Sequence, residues 1–128
     1  MIQGLYAITP SGLEENYLLS QTEVLLKEGV KLIQYRDKIF DKKTVQEKAK
    51  ALLRLTKKYR AKLLINDHVK ICLEIGADGF HLGLEDYSSE ENLKLLKKNK
   101  DFISKNLICG LSCKWNKELV VNPPENEI

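Results

Sequence analysis

The segment LLINDHVKICLEIGADGFHLGLED (63–86) decides the fold, because it holds two apolar, strand-like runs with a helical segment between them. Residues 62–66 are rich in Leu and Ile and end at a polar turn, and residues 79–83 form the second run. Residues 68–75 fit a short helix, and Gly76 is placed to end it in a left-handed conformation. A strand, a helix and a second strand in this order predict a parallel βαβ unit with a right-handed crossover.

The same alternation extends along the chain on both sides of this unit. The remaining strands are expected near residues 5–9, 30–36 and 107–112, and the remaining helices near residues 13–28, 41–56 and 89–98. Residues 115–121 show weak helical periodicity, and the polar tail from about residue 122 is expected to fray. The sequence therefore predicts one α/β domain over residues 1–128, with a parallel sheet built from five βα units.

The composition excludes several classes of protein. The chain has 128 residues, 43% of them hydrophobic, which suffices for one buried core. The net charge of +3 is too balanced to indicate nucleic-acid binding, and the lysines of KKTVQEKAK (42–50) are interleaved with acidic and polar residues as on a solvated helix face. No signal peptide and no run of about 20 apolar residues is visible, so neither export nor a membrane span is expected.

The cysteine content is consistent with a reducing compartment. Cys72, Cys109 and Cys113 cannot all pair within one chain, and no export signal accompanies them. Cys109 and Cys113 lack the usual C-x₂-C spacing, so a structural zinc site is not expected. We therefore expect free thiols and a cytoplasmic location.

Basic and amide side chains at the end of the second strand predict a phosphate site. In LIQYRDK (32–38), strand alternation places Gln34 and Arg36 on one face and the apolar residues Ile33 and Tyr35 on the other. Lys38 lies beyond the strand end. A guanidinium binds oxyanions in a bidentate way, and a Lys adds a point charge. A second interpretation is that Arg36 pairs with Asp37 or with a carboxylate of a neighbouring strand.

Carboxylates follow the third and fourth strands, at Asp67 and Asp86. Ligands of parallel α/β sheets bind beyond the carboxyl ends of the strands, where these carboxylates meet the basic residues of the second strand. Mg²⁺ commonly uses one or two carboxylates together with substrate phosphates. The combination predicts a Mg²⁺–diphosphate site. A second interpretation is that Asp67 and Asp86 only cap the helices that follow them.

Three further polar side chains are expected at the same edge of the sheet. Asn66 ends the third strand, and Ser112 ends the fifth. His81 points inward between Gly79 and Gly83, which leave space beside the backbone. Alternatively, His81 is a hydrogen-bonded core histidine and Ser112 an ordinary strand-end serine.

The motifs resemble, in their order along the chain, those of the thiamine phosphate synthase family, to which thiazole tautomerase is related. The residues that carry the resemblance are LYAIT (5–9), GVKLIQYRDK (29–38), the segment 63–86 and ICGLSC (108–113). The resemblance implies a (β/α)₈ barrel of the TIM type. It also implies a Mg²⁺-dependent enzyme of thiamine biosynthesis that joins aminopyrimidine methyl diphosphate to thiazole phosphate and releases pyrophosphate.

The resemblance also implies roles for particular side chains, position by position. The pyrimidine diphosphate would be bound by Gln34, Arg36, Lys38 and Asn66, with His81 and Ser112 lining the pocket, and Mg²⁺ would be held by Asp67 and Asp86. Asp86 favours the synthase over the tautomerase. Two features depart from the family pattern: Leu84 replaces the usual glutamine, and no arginine occurs in the helix at 89–98.

The chain is short for this fold, since a (β/α)₈ barrel typically takes about 250 residues. We therefore expect a truncated chain that forms a partial barrel of about the first five βα units. Its open strand edges predict a homo-oligomer or a complementing chain. The isolated chain is expected to bind a diphosphate but to be weakly active or inactive in synthesis. The alternative is a non-catalytic remnant that self-associates and at most binds a diphosphate.

Overall fold

Strands and helices alternate along the protein as the sequence predicts, except that two helices lie between the last two strands. The computed structural model describes residues 5–83 and 90–112, and it describes only the backbone of Leu5, Leu111 and Ser112. The strands are β1 (Leu5–Ile8), β2 (Val30–Tyr35), β3 (Lys62–Asn66), β4 (Gly79–Gly83) and β5 (Ile108–Ser112). The helices are α1 (Glu15–Lys27), α2 (Lys42–Lys58), α3 (Val69–Ile75), α4 (Glu90–Lys98) and α5 (Lys100–Asn106).

The strands form one five-stranded parallel sheet in the order β1-β2-β3-β4-β5. A doubly wound sheet reverses its strand order at a switch point, whereas this order follows the sequence without reversal. Right-handed crossovers in a sequential order place the connecting helices on the same side of the sheet. We call that side the helix-covered face and the opposite side the open face.

The core lies between the helix-covered face and the helices. Strand residues Ile33, Tyr35 and Phe80 are at most 2% exposed, and they belong to one cluster with Leu52 of α2 and Val69 of α3. Burying a side chain of this size stabilises the fold by roughly 1.5–3 kcal/mol. The alternation predicted for β2 is confirmed, because Ile33 and Tyr35 lie in this core.

Local signals account for the helix ends. The Asp41 carboxylate accepts a hydrogen bond from the N–H of Thr44 at 2.9 Å and so caps the start of α2. Gly29 follows α1 with a φ of 101°, and Gly76 ends α3 with a φ of 75°. Both values lie in the left-handed region, which glycine adopts at little cost.

The structure also departs from the sequence-based prediction. Helix α5 was not predicted, because its seven residues contribute a single buried side chain, Ile103, and show no apolar periodicity. Lys48 is 5% exposed, although the segment 42–50 is expected to be a solvated face. The predicted helical segment at 115–121 and the tail from 122 lie outside the described residues. Among the helices described, none combines the length and the apolar character needed to cross a bilayer.

Candidate functional site

Two hydroxyl side chains bond the backbone of the segment that directly follows β2. The Thr9 N–H donates to the Gln34 carbonyl at 3.0 Å, which is the last backbone bond between these segments. The Arg36 N–H then donates to Thr9 Oγ1 at 3.1 Å, and the Lys38 N–H donates to Ser11 Oγ at 3.0 Å. These bonds hold the backbone of both basic residues at the carboxyl edge of the sheet.

Asp37, between the two basic residues, points into the protein. Its carboxylate is buried and accepts hydrogen bonds from the N–H groups of Ile39 at 2.9 Å, Phe40 at 3.2 Å and Gly12 at 3.4 Å. Burial raises the pKa of Asp37, but these backbone donors outweigh it and hold the pKa below its ordinary value. Asp37 therefore organises the loop, and no carboxylate in residues 5–83 or 90–112 forms an ion pair with Arg36.

Gln34 and Tyr6 form a polar pair on the open face. Gln34 is 2% exposed, and its amide nitrogen donates a hydrogen bond to the Tyr6 hydroxyl. Partial burial raises the pKa of Tyr6, although the bond from Gln34 lowers it. The phenol is thus neutral at physiological pH and ties the Gln34 side chain to β1.

Asp67 holds a strained backbone conformation where β3 turns into α3. Its φ of 67° is left-handed, which costs a residue with a side chain roughly 1–2 kcal/mol. The turn is held by the bond from the Asp67 N–H to the His81 carbonyl at 2.9 Å and by the bond from the Asn92 amide to the Asp67 carbonyl at 3.5 Å. The carboxylate forms an ion pair with Lys38, while His68 occupies the N-cap position of α3. Asp67 is therefore not the cap of that helix.

The next strands bring a histidine and a glycine into one row with Asn66. Asn66 pairs in register with His81, and His81 pairs with Gly110. A Cβ added at Gly110 would lie 2.6 Å from Nδ1 of His81, so the imidazole lies against this glycine. Burial lowers the pKa of His81, which favours the neutral imidazole. At Gly79 an added Cβ would collide with the Ile108 carbonyl, so this glycine permits the close approach of β4 and β5.

Two of the predicted site residues are described less fully. Ser112 ends β5, where it pairs in register with Gly83, and only its backbone is described. Asp86 lies in residues 84–89, outside the described ranges. The structure thus brings together Gln34, Arg36, Lys38, Asn66, Asp67 and His81 at neighbouring strands or strand ends.

A groove of about 450 Å³ opens beside the Lys38–Asp67 ion pair. It lies between the loop after β2, the start of α3 and the start of α4. Its other charged walls include Lys42 with Glu91 at 3.9 Å, an exposed pair of the kind that contributes little to stability. Through this groove, solvent reaches Asp67 and Lys38 from the helix-covered face of the sheet.

The described residues contain no cluster of three or more His, Cys, Asp or Glu side chains suited to a metal ion. The chemistry of Asp67 nevertheless suits Mg²⁺, because its carboxylate lies at the sheet edge beside one cation, Lys38, and carboxylate oxygens are ligands of this ion. Mg²⁺ bound through one or two carboxylates and ligand phosphates needs no larger protein cluster.

Sequence reasoning left three positions of this site unassigned. Thr9 and Ser11 accept hydrogen bonds from the N–H groups of Arg36 and Lys38, and Asn92 of α4 donates to the carbonyl at the Asp67 turn. Hydroxyl residues spaced by two directly after β1 are the signal from which the first two could have been inferred. No local pattern marks Asn92.

The fold and this edge define a parallel α/β protein with a group of polar and charged side chains at the place where such sheets bind ligands. A family model described as thiamine monophosphate synthase matches residues 5–125. The chain therefore belongs to the thiamine monophosphate synthase family.

Individual relatives agree with this assignment. Thiamine-phosphate synthase of Nitrosospira multiformis is 41% identical over 113 residues, which cover 88% of this chain and 45% of the relative. The protein of the same name from a Janthinobacterium species is 40% identical over 112 residues, covering 88% of this chain and 51% of the relative. The solved structure of thiamine phosphate pyrophosphorylase from Pyrococcus furiosus superposes with a TM-score of 0.70 at 29% identity, covering 93% of this chain and 55% of that one. The chain thus spans about half the length of these relatives.

Proposed function

We propose that the chain acts in thiamine biosynthesis as part of a thiamine-phosphate synthase, which joins aminopyrimidine methyl diphosphate to thiazole phosphate and releases pyrophosphate. The observation that carries the proposal is the convergence of Arg36, Lys38 and Asp67 at one edge of the sheet. The names of the relatives support the same reaction. The alternative of a non-catalytic remnant has no comparable support.

The basic side chains would bind the diphosphate. Arg36 is exposed at the sheet edge, where its guanidinium can donate two parallel hydrogen bonds to phosphate oxygens. Lys38, also exposed, adds a positive charge within reach of Asp67. Gln34, Asn66, His81 and Ser112 would contact or line the pyrimidine diphosphate pocket from the open face.

Asp67 and Asp86 would hold Mg²⁺ together with the diphosphate oxygens. Bound there, the ion would neutralise negative charge on the leaving pyrophosphate. Lys38 would then donate to a phosphate oxygen instead of Asp67, because the Lys38 ammonium and Mg²⁺ would compete for the same carboxylate.

The reaction needs electrostatic stabilisation more than a protein nucleophile. The bond between the pyrimidine methylene carbon and the diphosphate oxygen breaks, and the electron pair leaves with pyrophosphate. The lone pair of the thiazole nitrogen then forms the new C–N bond to the methylene carbon. Arg36 and Lys38, held by Thr9 and Ser11, would stabilise the charge that accumulates on the leaving group without reorganising during the reaction.

The sheet is proposed to be the first part of a (β/α)₈ barrel. Strand order without reversal supports this architecture, since each barrel strand lies beside the next strand in sequence. In such a barrel the open face would line the interior, with Gln34 and His81 directed toward the ligand.

We propose that the 128-residue chain by itself pairs through the edge of β1 with a second copy, whereas in a whole (β/α)₈ barrel the same edge would pair with the last strand. Within the described residues β1 pairs with β2 alone, and Tyr6 and Ile8 are 46% and 53% exposed. Unpaired strand edges with exposed apolar side chains favour pairing with another chain. Sedimentation equilibrium is expected to show a dimer at roughly 10 µM, a concentration typical of modest affinities. Ile8→Lys should shift it toward monomer, and a monomeric wild-type protein would contradict the contact.

Calorimetry with pyrophosphate in the presence and absence of Mg²⁺ tests the proposed site. Arg36→Ala should weaken pyrophosphate binding about tenfold to hundredfold, the value of a charge-assisted hydrogen bond. Asp67→Ala should weaken the dependence on Mg²⁺, and Asp67→Ala with Asp86→Ala should abolish it. Arg54→Ala, at an exposed position of α2, is the matched control and should change neither. Equal, metal-independent binding by the wild type and the double variant would refute the Mg²⁺–diphosphate site.

A further inference from the structure

Lys48 is a buried cation in the middle of α2. Its side chain is 5% exposed, whereas lysines are almost never fully buried without partners. Its Nζ donates to the Leu13 carbonyl at 2.5 Å and lies 3.4 Å from the centroid of the Phe40 ring. A desolvated ammonium is costly, so this arrangement is maintained only because each partner compensates part of the lost hydration.

The partners of Lys48 belong to two different loops. Leu13 lies in the loop between β1 and α1, and Phe40 lies in the loop between β2 and α2. The Asp37 carboxylate joins the same two loops, because it accepts N–H groups from Gly12 at 3.4 Å and from Phe40 at 3.2 Å. The positive charge of Lys48 also favours the charged form of Asp37. The buried Lys48 ammonium and the buried Asp37 carboxylate thus hold the two loops against each other.

Arg36 and Lys38, the two cationic residues proposed to bind the anion, lie in the loop between β2 and α2 that Lys48 and Asp37 hold in place. Arg36 and Lys38 directly precede and follow Asp37, and their N–H groups donate to Thr9 and Ser11 in the opposite loop. A shift of one loop relative to the other would break these bonds and move both cationic side chains. The side chain of Lys48 touches neither cation, so any influence on the anion must pass through the loops.

We propose that Lys48 is a positioning residue for the anion site, which it serves by holding the loop after β1 against the loop that carries Arg36 and Lys38. The proposal rests on the proposed function for the identity of the anion. It assigns to Lys48 a role beyond packing: the pair of loops is kept in the arrangement that presents both cations to one diphosphate.

Lys48→Met tests the role, because methionine keeps an unbranched apolar stem inside the core and removes the charge and its donors. Pyrophosphate affinity in the presence of Mg²⁺ should fall about tenfold, a typical coupling within one hydrogen-bonded network. Hydrogen exchange of the Arg36 and Lys38 amides should accelerate by a similar factor, beyond any change in global unfolding measured by urea. Lys50→Met, at an exposed position of the same helix, is the matched control and should alter neither quantity.

Lys48→Arg keeps the charge and should recover part of the affinity. If Lys48→Met does not fold, Phe40→Leu removes the ring face that Lys48 contacts and should give the same two effects at smaller size. Lower stability with unchanged affinity and unchanged exchange at both amides would overturn the proposal and leave Lys48 a purely structural residue. If the wild type binds no pyrophosphate, the proposed function fails, and exchange at the two amides alone decides whether Lys48 positions the loop.

Discussion

The ion pair between Lys38 and Asp67 joins the two strand ends that carry opposite charges. The Lys38 side chain is 46% exposed and that of Asp67 is 12% exposed, so the carboxylate is the more desolvated partner. An ammonium paired with this carboxylate competes with any divalent cation that binds it. The same lysine would help the anion, so it has opposite effects on the two ligands.

Lys38→Met should therefore separate the two ligands. Affinity for a divalent ion alone, followed with Mn²⁺ as an electron-paramagnetic probe, should rise about twofold to fivefold, because a partly exposed ion pair contributes up to about 1 kcal/mol. Pyrophosphate affinity in Mg²⁺ should fall. Lys42→Met removes the partner of Glu91 on the same edge and should leave both affinities unchanged. Lower or equal Mn²⁺ affinity in Lys38→Met would show that Lys38 does not compete for Asp67.

Gly110 has a specific steric role beside His81. Gly110→Ala places a methyl group 2.6 Å from the imidazole Nδ1, so the ring or strand β5 must move. The free energy of unfolding should fall by about 1–3 kcal/mol, the usual cost of overpacking. In the background of His81→Ala the same substitution should cost much less, which a double-mutant cycle by urea denaturation measures. Equal costs in both backgrounds would mean that the ring is not held against Gly110.

At the scale of elements, the position of the site depends on how β2 ends. Strand β2 stops at Tyr35, yet Arg36 and Lys38 remain bonded to the segment after β1 through Thr9 and Ser11. Without the bonds to Thr9 and Ser11, the backbone after Tyr35 would be free to turn toward α2 earlier. The two hydroxyls thus hold the backbone that carries both cationic side chains.

Thr9→Val keeps the shape of the side chain but removes the acceptor for the Arg36 N–H. Because Thr9 is 6% exposed, that N–H would be left with little access to water, and the free energy of unfolding should fall by about 1–3 kcal/mol. Pyrophosphate affinity should fall as well, since the backbone of Arg36 is released. Ser20→Ala removes a hydroxyl that donates to the Tyr17 carbonyl on the exposed side of α1 and serves as the control. Undiminished stability and affinity in Thr9→Val would refute the role of this hydroxyl.

At the scale of the whole molecule, the core shields the thiol of Cys72 from solvent. Cys72 of α3 is 0% exposed, and its Sγ donates to the Gly79 carbonyl of β4 at 3.2 Å. Burial, with a smaller contribution from Cys109, raises the pKa of Cys72 to about 12. The thiolate, which is the reactive form, is therefore scarce in the folded protein at any physiological pH.

Alkylation of Cys72 should consequently report global unfolding. At pH 8 the unfolded thiol, with a pKa near its usual value of about 8.5, is partly ionised and reacts readily. In the folded protein pH 8 lies far below the raised pKa of Cys72, so the thiol stays protonated and unreactive. Labelling by iodoacetamide, measured on the peptide that contains Cys72, should rise with urea at the same midpoint as circular dichroism. Substantial labelling well before that midpoint would show that α3 opens separately from the sheet.

The sequence by itself determined the strands, four of the five helices in the described ranges and the two faces of the sheet. Ile33 and Tyr35 alternate with Gln34 and Arg36, and Gly76 ends α3, where the residue order alone predicts these features. Such signals are periodicities and caps within one segment, so they need no knowledge of the partner segments. They also sufficed to place Arg36, Lys38 and Asp67 at one edge, because parallel strands share the direction of their carboxyl ends.

Only the tertiary structure decided which partner each polar side chain finds. It paired Asp67 with Lys38, directed Asp37 away from Arg36 and buried Lys48, which the local pattern assigns to a solvated face. The bond from Arg36 to Thr9 spans 27 residues, and the bond from Lys48 to Leu13 spans 35. Contacts at these separations depend on how strands and helices pack, and a polar residue shows the same local pattern whether its partner is water or a distant carbonyl. The sequence therefore predicts which charged residues lie at the edge of the sheet, and the packing of strands and helices determines which partner each of them contacts.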